Sequence, residues 1–151
     1  MKFYLDTSVW GGYHDVEFEE WTVPFIEQGR KGRFITVYSS VTQGELEGAP
    51  ERTRTLPLSI PKEFLETVFI NQEQEELAQK YIIEGALTKK QEADAQHIAM
   101  ATILKVDSLV SWNFNHMVNF FRIKQYNAIN LKYGYTILDI RSPKEVTYEE
   151  K

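Results

Sequence analysis

Segments that favour β-strands alternate with segments that favour helices, and this alternation restricts the chain to few architectures. Strand-like runs rich in β-branched and aromatic residues occur at 2–6, 34–39, 67–70, 108–112 and 136–140. Helical periodicity occurs at 17–31, 41–49, 72–84, 91–105 and 117–132. Alternation of this kind predicts an α/β fold, specifically a three-layer α/β/α sandwich with a mainly parallel central sheet.

Local signals set more detailed expectations. Residues 6–15 are rich in turn formers and predict a loop after the first strand. Pro24 leaves two readings open, a shorter helix capped by Thr22 or a kink within a longer one. Ser40 is the expected cap of the 41–49 helix.

The length of 151 residues is that of one domain, predicted here at 1–141, followed by a short tail at 142–151 whose charged end is expected to fray. There is no cysteine, which excludes disulfides and thiolate-ligated zinc. The N-terminal residues do not resemble a signal peptide, and no apolar run reaches the length of a membrane span. We therefore expect a soluble, cytoplasmic protein.

The net charge of −5 argues against a protein that coats DNA, because such binding requires many cationic contacts to phosphates. It does not exclude an enzyme that meets nucleic acid at one local site, where a metal ion supplies the positive charge.

Polar residues lie near the carboxyl ends of the predicted strands, where parallel sheets bind their ligands. Asp6 ends the first strand, Glu45 follows the second, Asp94 begins a helix and Asn113 ends the strand at 108–112. Carboxylate oxygens at one sheet edge suit Mg²⁺ or Mn²⁺. Such an ion activates water and polarises a phosphodiester.

Two of these assignments have a competitor nearby. Glu45 and Glu47 lie about 200° apart on a helix, so only one of them can face the site. Glu92 and Asp94 pose the same alternative. The pattern of residues by itself leaves both choices open.

Four segments resemble PIN domains, in the prokaryotic group that includes VapC-like toxins. They read FYLDTS, SSVTQGELEGAP, ADAQHIAMATILKVDSLVSWNFNHMVN and GYTILDIRSPKEV, in order, between about residues 2 and 146. The resemblance implies an α/β/α sandwich and RNA cleavage by a metal ion held on acidic residues. It selects Asp6, Glu45 and Asp94 as metal ligands over Glu47 and Glu92.

The same resemblance assigns supporting residues and one departure. Thr7 matches the small hydroxyl residue after the first acid, and Ser111 the hydroxyl that precedes a fourth acid by two positions. Asn113 stands where that fourth acid is usual, and we predict that it belongs to the catalytic set without contributing charge. The loss of one negative charge should weaken a second metal most.

His97 lies three residues after Asp94 on the same helix face, so it can orient a carboxylate or contact substrate. The competing and favoured interpretation is a partly buried structural histidine bonded to backbone. Trp112 is expected to pack, and Arg52 and Arg54 are the best sequence candidates for phosphate contacts.

Together these features predict an Mg²⁺- or Mn²⁺-dependent endoribonuclease. By resemblance, it is the toxin of a type II toxin–antitoxin pair, with an antitoxin protein as partner, and a homodimer. The alternative is a catalytically weak or inactive PIN fold that binds RNA or a protein. Asn113 and the negative net charge motivate this alternative.

Overall fold

The computed structural model describes residues 1–147, and within them five parallel strands form one sheet in the order β3-β2-β1-β4-β5. The strands are β1 Lys2–Leu5, β2 Ile35–Ser39, β3 Leu65–Val68, β4 Ser108–Val110 and β5 Ile140–Arg141. The helices are α1 Thr7–Gly12, α2 Glu19–Arg30, α3 Ser40–Leu46, α4 Glu51–Arg54, α5 Gln72–Ile83, α6 Glu92–Ile103, α7 Phe120–Lys132 and α8 Pro143–Val146. The predicted α/β class and parallel sheet are confirmed.

Helices cover both faces of the sheet, because strand residues alternate between two buried clusters. Tyr4, Val37 and Leu109 pack with residues of α5, α6 and α7 on one face. Phe3, Leu5 and Val110 pack with residues of α1, α2 and α3 on the other. The result is the predicted sandwich, and its inner strands β1, β2 and β4 are buried on both sides, as is usual in parallel sheets.

The prediction of a loop after β1 is wrong, because residues 7–12 form helix α1. The Asp6 side chain caps this helix by accepting a hydrogen bond from the Ser8 amide at 3.1 Å. Gly11 and Gly12, which suggested turns, lie at its end. An added Cβ at Gly12 would lie 2.9 Å from both Thr22 Oγ1 and Trp112 Nε1, so Gly12 is set by close packing and not by a turn.

Helix α2 runs through Pro24 from Glu19 onward, so the reading with Thr22 as cap is wrong. Thr22 is buried inside the helix, and its hydroxyl donates to the Phe18 carbonyl at 2.8 Å. Proline removes one helical N–H, whose acceptor would be the carbonyl of Glu20, and Glu20 is exposed to solvent. Helix α3 is capped by Ser39, one residue earlier than expected, through a 3.1 Å bond from the Thr42 amide.

The last predicted strand is shorter than expected because a side chain replaces part of its ladder. Asn127 on α7 binds both backbone groups of Leu138, accepting from its N–H at 2.7 Å and donating to its carbonyl at 3.0 Å. Pairing with β4 therefore starts only near Asp139, whose carbonyl accepts from Leu109 N at 2.9 Å. Helix α7 also starts later than predicted, at Phe120, with Asn119 as its cap.

Part of the predicted tail is ordered against the domain. Residues Pro143–Val146 form α8, which contacts α2, and Pro143 is buried. The expectation of fraying is wrong for these residues, and 148–151 lie outside the described residues. None of the helices within 1–147 combines the length and apolar character that a membrane span requires.

The two neighbouring glycines of α1 provide a test of this packing. We expect Gly12→Ala to destabilise the fold by about 1 to 3 kcal/mol, the usual cost of overpacking, because its methyl would displace Thr22 or Trp112. Gly11→Ala is the matched control, since nothing lies within 4 Å of its added Cβ. It should stabilise helix α1 by about 0.5 to 1 kcal/mol. Urea unfolding measures both, and equal effects would contradict the packing role of Gly12.

Candidate active site

The strand order indicates where along the sheet a ligand site is expected. From β1 the chain proceeds to β2 and β3 on one side, and it then crosses to β4 and β5 on the other side. The order therefore reverses between β1 and β4, which pair directly with Leu5 opposite Val110. Crevices beyond the carboxyl ends of strands at such a reversal are the usual ligand sites of parallel sheets.

Asp6 lies in this crevice and is held by two hydroxyl groups. Ser8 Oγ donates to Asp6 Oδ1 at 2.5 Å, and Ser111 Oγ, from the end of β4, donates to Oδ2 at 2.6 Å. The residue is 4% exposed. Burial raises the pKa of Asp6 above its ordinary value and the Glu45 charge adds to the rise, although His97 and the two serines oppose it.

Glu45 on α3 reaches the same region and is tied to two neighbours. Thr7 Oγ1 donates to Glu45 Oε1 at 2.7 Å, and His97 Nε2 lies 2.6 Å from the same oxygen. Burial alone would raise the pKa of Glu45, but the contacts with His97 and Thr7 outweigh it and lower the pKa. Glu45 is therefore the carboxylate that the fold keeps ionised most readily.

His97 is buried, at 1% exposure, and both ring nitrogens contact side chains. Nδ1 lies 2.6 Å from the Tyr4 hydroxyl, which lies 2.7 Å from Ser39 Oγ. An ionised carboxylate can only accept hydrogen bonds, so Nε2 must donate to Glu45. The favoured prediction of a partly buried histidine bonded to backbone is wrong, because its ring links the core of the sheet to a site carboxylate.

Asp94 occupies the first turn of α6 and is partly buried. Burial raises its pKa most; the charges of Asp6 and Glu45 raise it further, and the two histidines lower it. His97, three residues along α6 from Asp94, contacts Glu45 at 2.6 Å, so α6 brings Asp94 toward the region of the other two acids. The roles of Asp6, Glu45 and Asp94 as metal ligands remain predictions. Within residues 1–147, however, no three His, Asp or Glu side chains are grouped closely enough to form a metal site as they stand.

His116 supports Asp94, and the sequence reasoning did not identify this role. Its Nδ1 lies 3.6 Å from Asp94 Oδ2, and its Nε2 lies 3.2 Å from Gln91 Nε2. Gln91 Oε1 accepts from the Thr88 amide, which fixes Gln91 Nε2 as a donor. His116 Nε2 must then accept, so the hydrogen of a neutral ring is on Nδ1 and is directed at Asp94.

Asn113 holds the loop after β4. Its side-chain Oδ1 accepts from the backbone N–H groups of Asn115 at 3.1 Å and His116 at 2.9 Å. Its own backbone N–H donates to Ser111 Oγ at 2.9 Å. The amide oxygen predicted to contact the site therefore positions two loop residues that follow Asn113, namely Asn115 and His116. Trp112 is buried as expected, with its Nε1 donating to Thr22 Oγ1 at 2.8 Å.

The competing acids lie outside this group. Glu47 is exposed and lines a surface groove with Tyr38 and Arg54. Glu92 is exposed and accepts a long bond, 3.5 Å, from Gln79. The choice of Glu45 and Asp94, which the resemblance made, thus agrees with the contacts of these four side chains.

Comparison with known proteins supports the fold. No family model matches the sequence, and no curated protein matches it. Among solved structures, the VapC20 toxin of Mycobacterium tuberculosis, which cleaves the sarcin–ricin loop, is similar with a TM-score of 0.57 and 12% identity over 75% of this chain and 91% of that one. VapBC2 of Rickettsia felis, bound to a DNA fragment from its promoter, is similar with a TM-score of 0.58 and 17% identity over 94% of this chain and 98% of that one.

At these identities the likeness concerns the arrangement of the chain. The fold resemblance to VapC-like PIN domains that the sequence motifs indicated is confirmed, and the protein shares the fold of the chains matched in these two structures.

Proposed function

We propose that this protein is a metal-dependent endoribonuclease that hydrolyses RNA phosphodiester bonds and acts as the toxin of a toxin–antitoxin pair. The observation that carries the proposal is that carboxylates at the end of β1, on α3 and on α6 are connected through neighbouring side chains at the reversal of strand order. Thr7, which follows Asp6, donates to Glu45 at 2.7 Å. His97, three residues after Asp94, contacts Glu45 at 2.6 Å. The two similar structures, the VapC20 toxin that cleaves the sarcin–ricin loop and VapBC2 bound to promoter DNA, support the choice of substrate and partner.

The donor chemistry of the site fits a divalent ion. Asp6, Glu45 and Asp94 present carboxylate oxygens, which Mg²⁺ and Mn²⁺ prefer. Burial and mutual repulsion raise the pKa of Asp6 and of Asp94, and a cation between them would relieve this unfavourable charge. Asp6 Oδ1 accepts from both the amide and the hydroxyl of Ser8, whereas Oδ2 accepts from Ser111 and keeps lone-pair capacity for an ion.

When bound, a divalent ion would lower the pKa of an attacking water and stabilise the charge on a phosphodiester. The protein's own groups orient its acids beforehand: Ser8 and Ser111 fix Asp6, Thr7 and His97 fix Glu45, and His116 faces Asp94. The proposed catalytic set is Asp6, Glu45, Asp94 and Asn113. Asn113 acts indirectly, through the hydrogen bonds with which it holds the loop after β4.

A binding role without cleavage is the second candidate. Asn113 favours it, because the residue brings no charge and its amide oxygen already accepts two backbone hydrogen bonds. Calorimetry with Mn²⁺ separates the candidates. A nuclease should bind the ion and degrade single-stranded RNA. The binding module should leave RNA intact and show no heat of Mn²⁺ binding.

We further propose that the protein acts in the cytoplasm as a homodimer. Exposed apolar side chains on α5 and α7, such as Ile83, Phe121 and Leu131, support self-association. Size-exclusion chromatography with light scattering is expected to give twice the mass of 17.7 kDa. A single-chain mass at all concentrations would contradict this part of the proposal.

Asp6→Asn tests the site directly. We expect RNA cleavage to fall to the level of a control without enzyme, and expression in bacterial cells to lose any growth arrest that the wild type causes. Mn²⁺ should raise the melting temperature of the wild type and leave that of the variant unchanged, because only the wild type binds the ion. Cleavage by the variant at the wild-type rate would refute the mechanism.

The same substitution should stabilise the metal-free protein. Folding raises the pKa of Asp6, so ionisation opposes folding and the penalty is present at neutral pH. Asn keeps an acceptor for Ser8 and removes the charge. We expect a melting temperature higher by about 2 to 4 °C, the shift that about 1 kcal/mol produces in a domain of this size. A lower value in metal-free buffer would show that the charge stabilises the fold.

His97→Ala tests the orientation of Glu45. We expect Mn²⁺ affinity and cleavage each to fall by about 10- to 100-fold, as when other groups that orient metal ligands are lost. His97→Gln retains an N–H donor and should recover part of the loss. The melting temperature of each variant controls for misfolding. A folded alanine variant with unchanged Mn²⁺ affinity would exclude the positioning role.

A further inference from the structure

One rim of the candidate site is formed by two segments that are remote in sequence. The loop after β4 carries Asn113 to His116, and the 3₁₀ turn Lys89–Gln91 precedes α6. The contact between Gln91 and His116 at 3.2 Å joins them, and His116 faces Asp94. The rim is therefore continuous with the carboxylates.

This rim exposes an aromatic ring on a rigid support. Phe114 is 50% exposed, although it lies between residues that hold the loop. Its ring packs edge-on against Trp112, with centroids 6.1 Å apart, and Trp112 stacks on Phe18 at 4.5 Å. The Phe114 carbonyl also accepts from Asn119 Nδ2 at 3.4 Å. An exposed ring fixed in this way offers a flat apolar face at little entropic cost.

The same rim exposes two cations. Lys89 and Lys90 are both exposed, and neither forms an ion pair with another residue of the described chain. Arg54, in contrast, donates to the Ala49 carbonyl and lines the groove beside Glu47, on the side of α3 opposite to Glu45. In a chain of net charge −5, Lys89 and Lys90 are thus better placed for phosphate contacts than Arg54.

We propose that this rim binds unpaired RNA, with a base stacked on Phe114 and neighbouring phosphates on Lys89 and Lys90. This rests on the proposed function and assigns the residues outside the carboxylates that hold the RNA strand. Every base has a face that can stack on an aromatic ring, but in a duplex that face is covered by neighbouring bases. The cations would follow the backbone while the carboxylates meet the scissile phosphate.

The test measures binding separately from cleavage. Protein carrying Asp6→Asn keeps the RNA intact, and the probe is a short single-stranded RNA containing a fluorescent adenine analogue, in Mg²⁺ buffer. Adding Phe114→Leu should weaken binding about fivefold or more and remove the stacking-dependent quenching, whereas Phe114→Trp should retain both. Phe69→Leu is the matched control, because Phe69 is 71% exposed and follows β3, at the opposite edge of the sheet from β5.

The lysines are tested through salt dependence. Lys89→Ala with Lys90→Ala should lower the slope of log affinity against log salt by about 1.4, since each phosphate contact of a single strand contributes about 0.7. Lys31→Ala with Lys62→Ala removes two exposed lysines near the opposite edge of the sheet and should leave the slope unchanged.

Two results would refute RNA binding at the rim: unchanged RNA binding in both rim variants, or equal binding of duplex and single-stranded RNA. A change in oligomeric state alone would also refute it, because that would indicate a protein contact at Phe114. Failure of the nuclease proposal is distinguishable. In that case the wild type leaves RNA intact while the rim variants still lose binding.

Discussion

The hydrogen bond from Ser111 to Asp6 joins the two halves of the sheet at the point where the strand order reverses. Asp6 follows β1 and Ser111 follows β4, so the bond exists only when these strands pair in the observed register. A buried carboxylate is expensive unless it is hydrogen-bonded. Ser8 and Ser111 provide that compensation, and the adjoining helix α1 begins at the same residue. The site and the fold therefore share one structural requirement.

The carboxylates of the site differ in how the protein treats their charge. Glu45 has two donors, and its pKa is lowered, so its charge is stabilised within the protein. Asp6 and Asp94 have raised pKa values, because burial and mutual repulsion exceed the help from their neighbours. The fold thus retains negative charge that does not benefit its own stability. A cation is the ligand that such an arrangement is suited to receive, which is why we favour metal-dependent chemistry over a purely structural role.

The sequence predicted features that depend on periodicity or on strand ends. The alternation of segments predicted the parallel sheet, and the positions after strands selected Asp6 and Asn113 as candidates for the site. Prediction from the sequence failed where side chains from remote segments contact one another. Helix geometry placed His97 on the face of Asp94, but its partners Tyr4 and Glu45 come from β1 and α3, and no local signal indicates them. The Gln91–His116 contact and the replacement of a strand ladder by Asn127 were missed for the same reason. Gly12 was interpreted as a turn former, whereas glycine is required there because Trp112 packs against it.

If this acidic chain acts on RNA as we propose, it faces a constraint that the site alone does not solve. With a net charge of −5, its long-range field repels a polyanion, so attraction must come from a few local contacts. A few cations can reach only a few phosphates, and the footprint on the strand is then short. Affinity from such a footprint requires a contribution that salt does not screen, and stacking on an exposed ring such as Phe114 provides one. The shortage of positive charge and the fixed aromatic ring thus favour the same substrate, an exposed base in a loop or single strand.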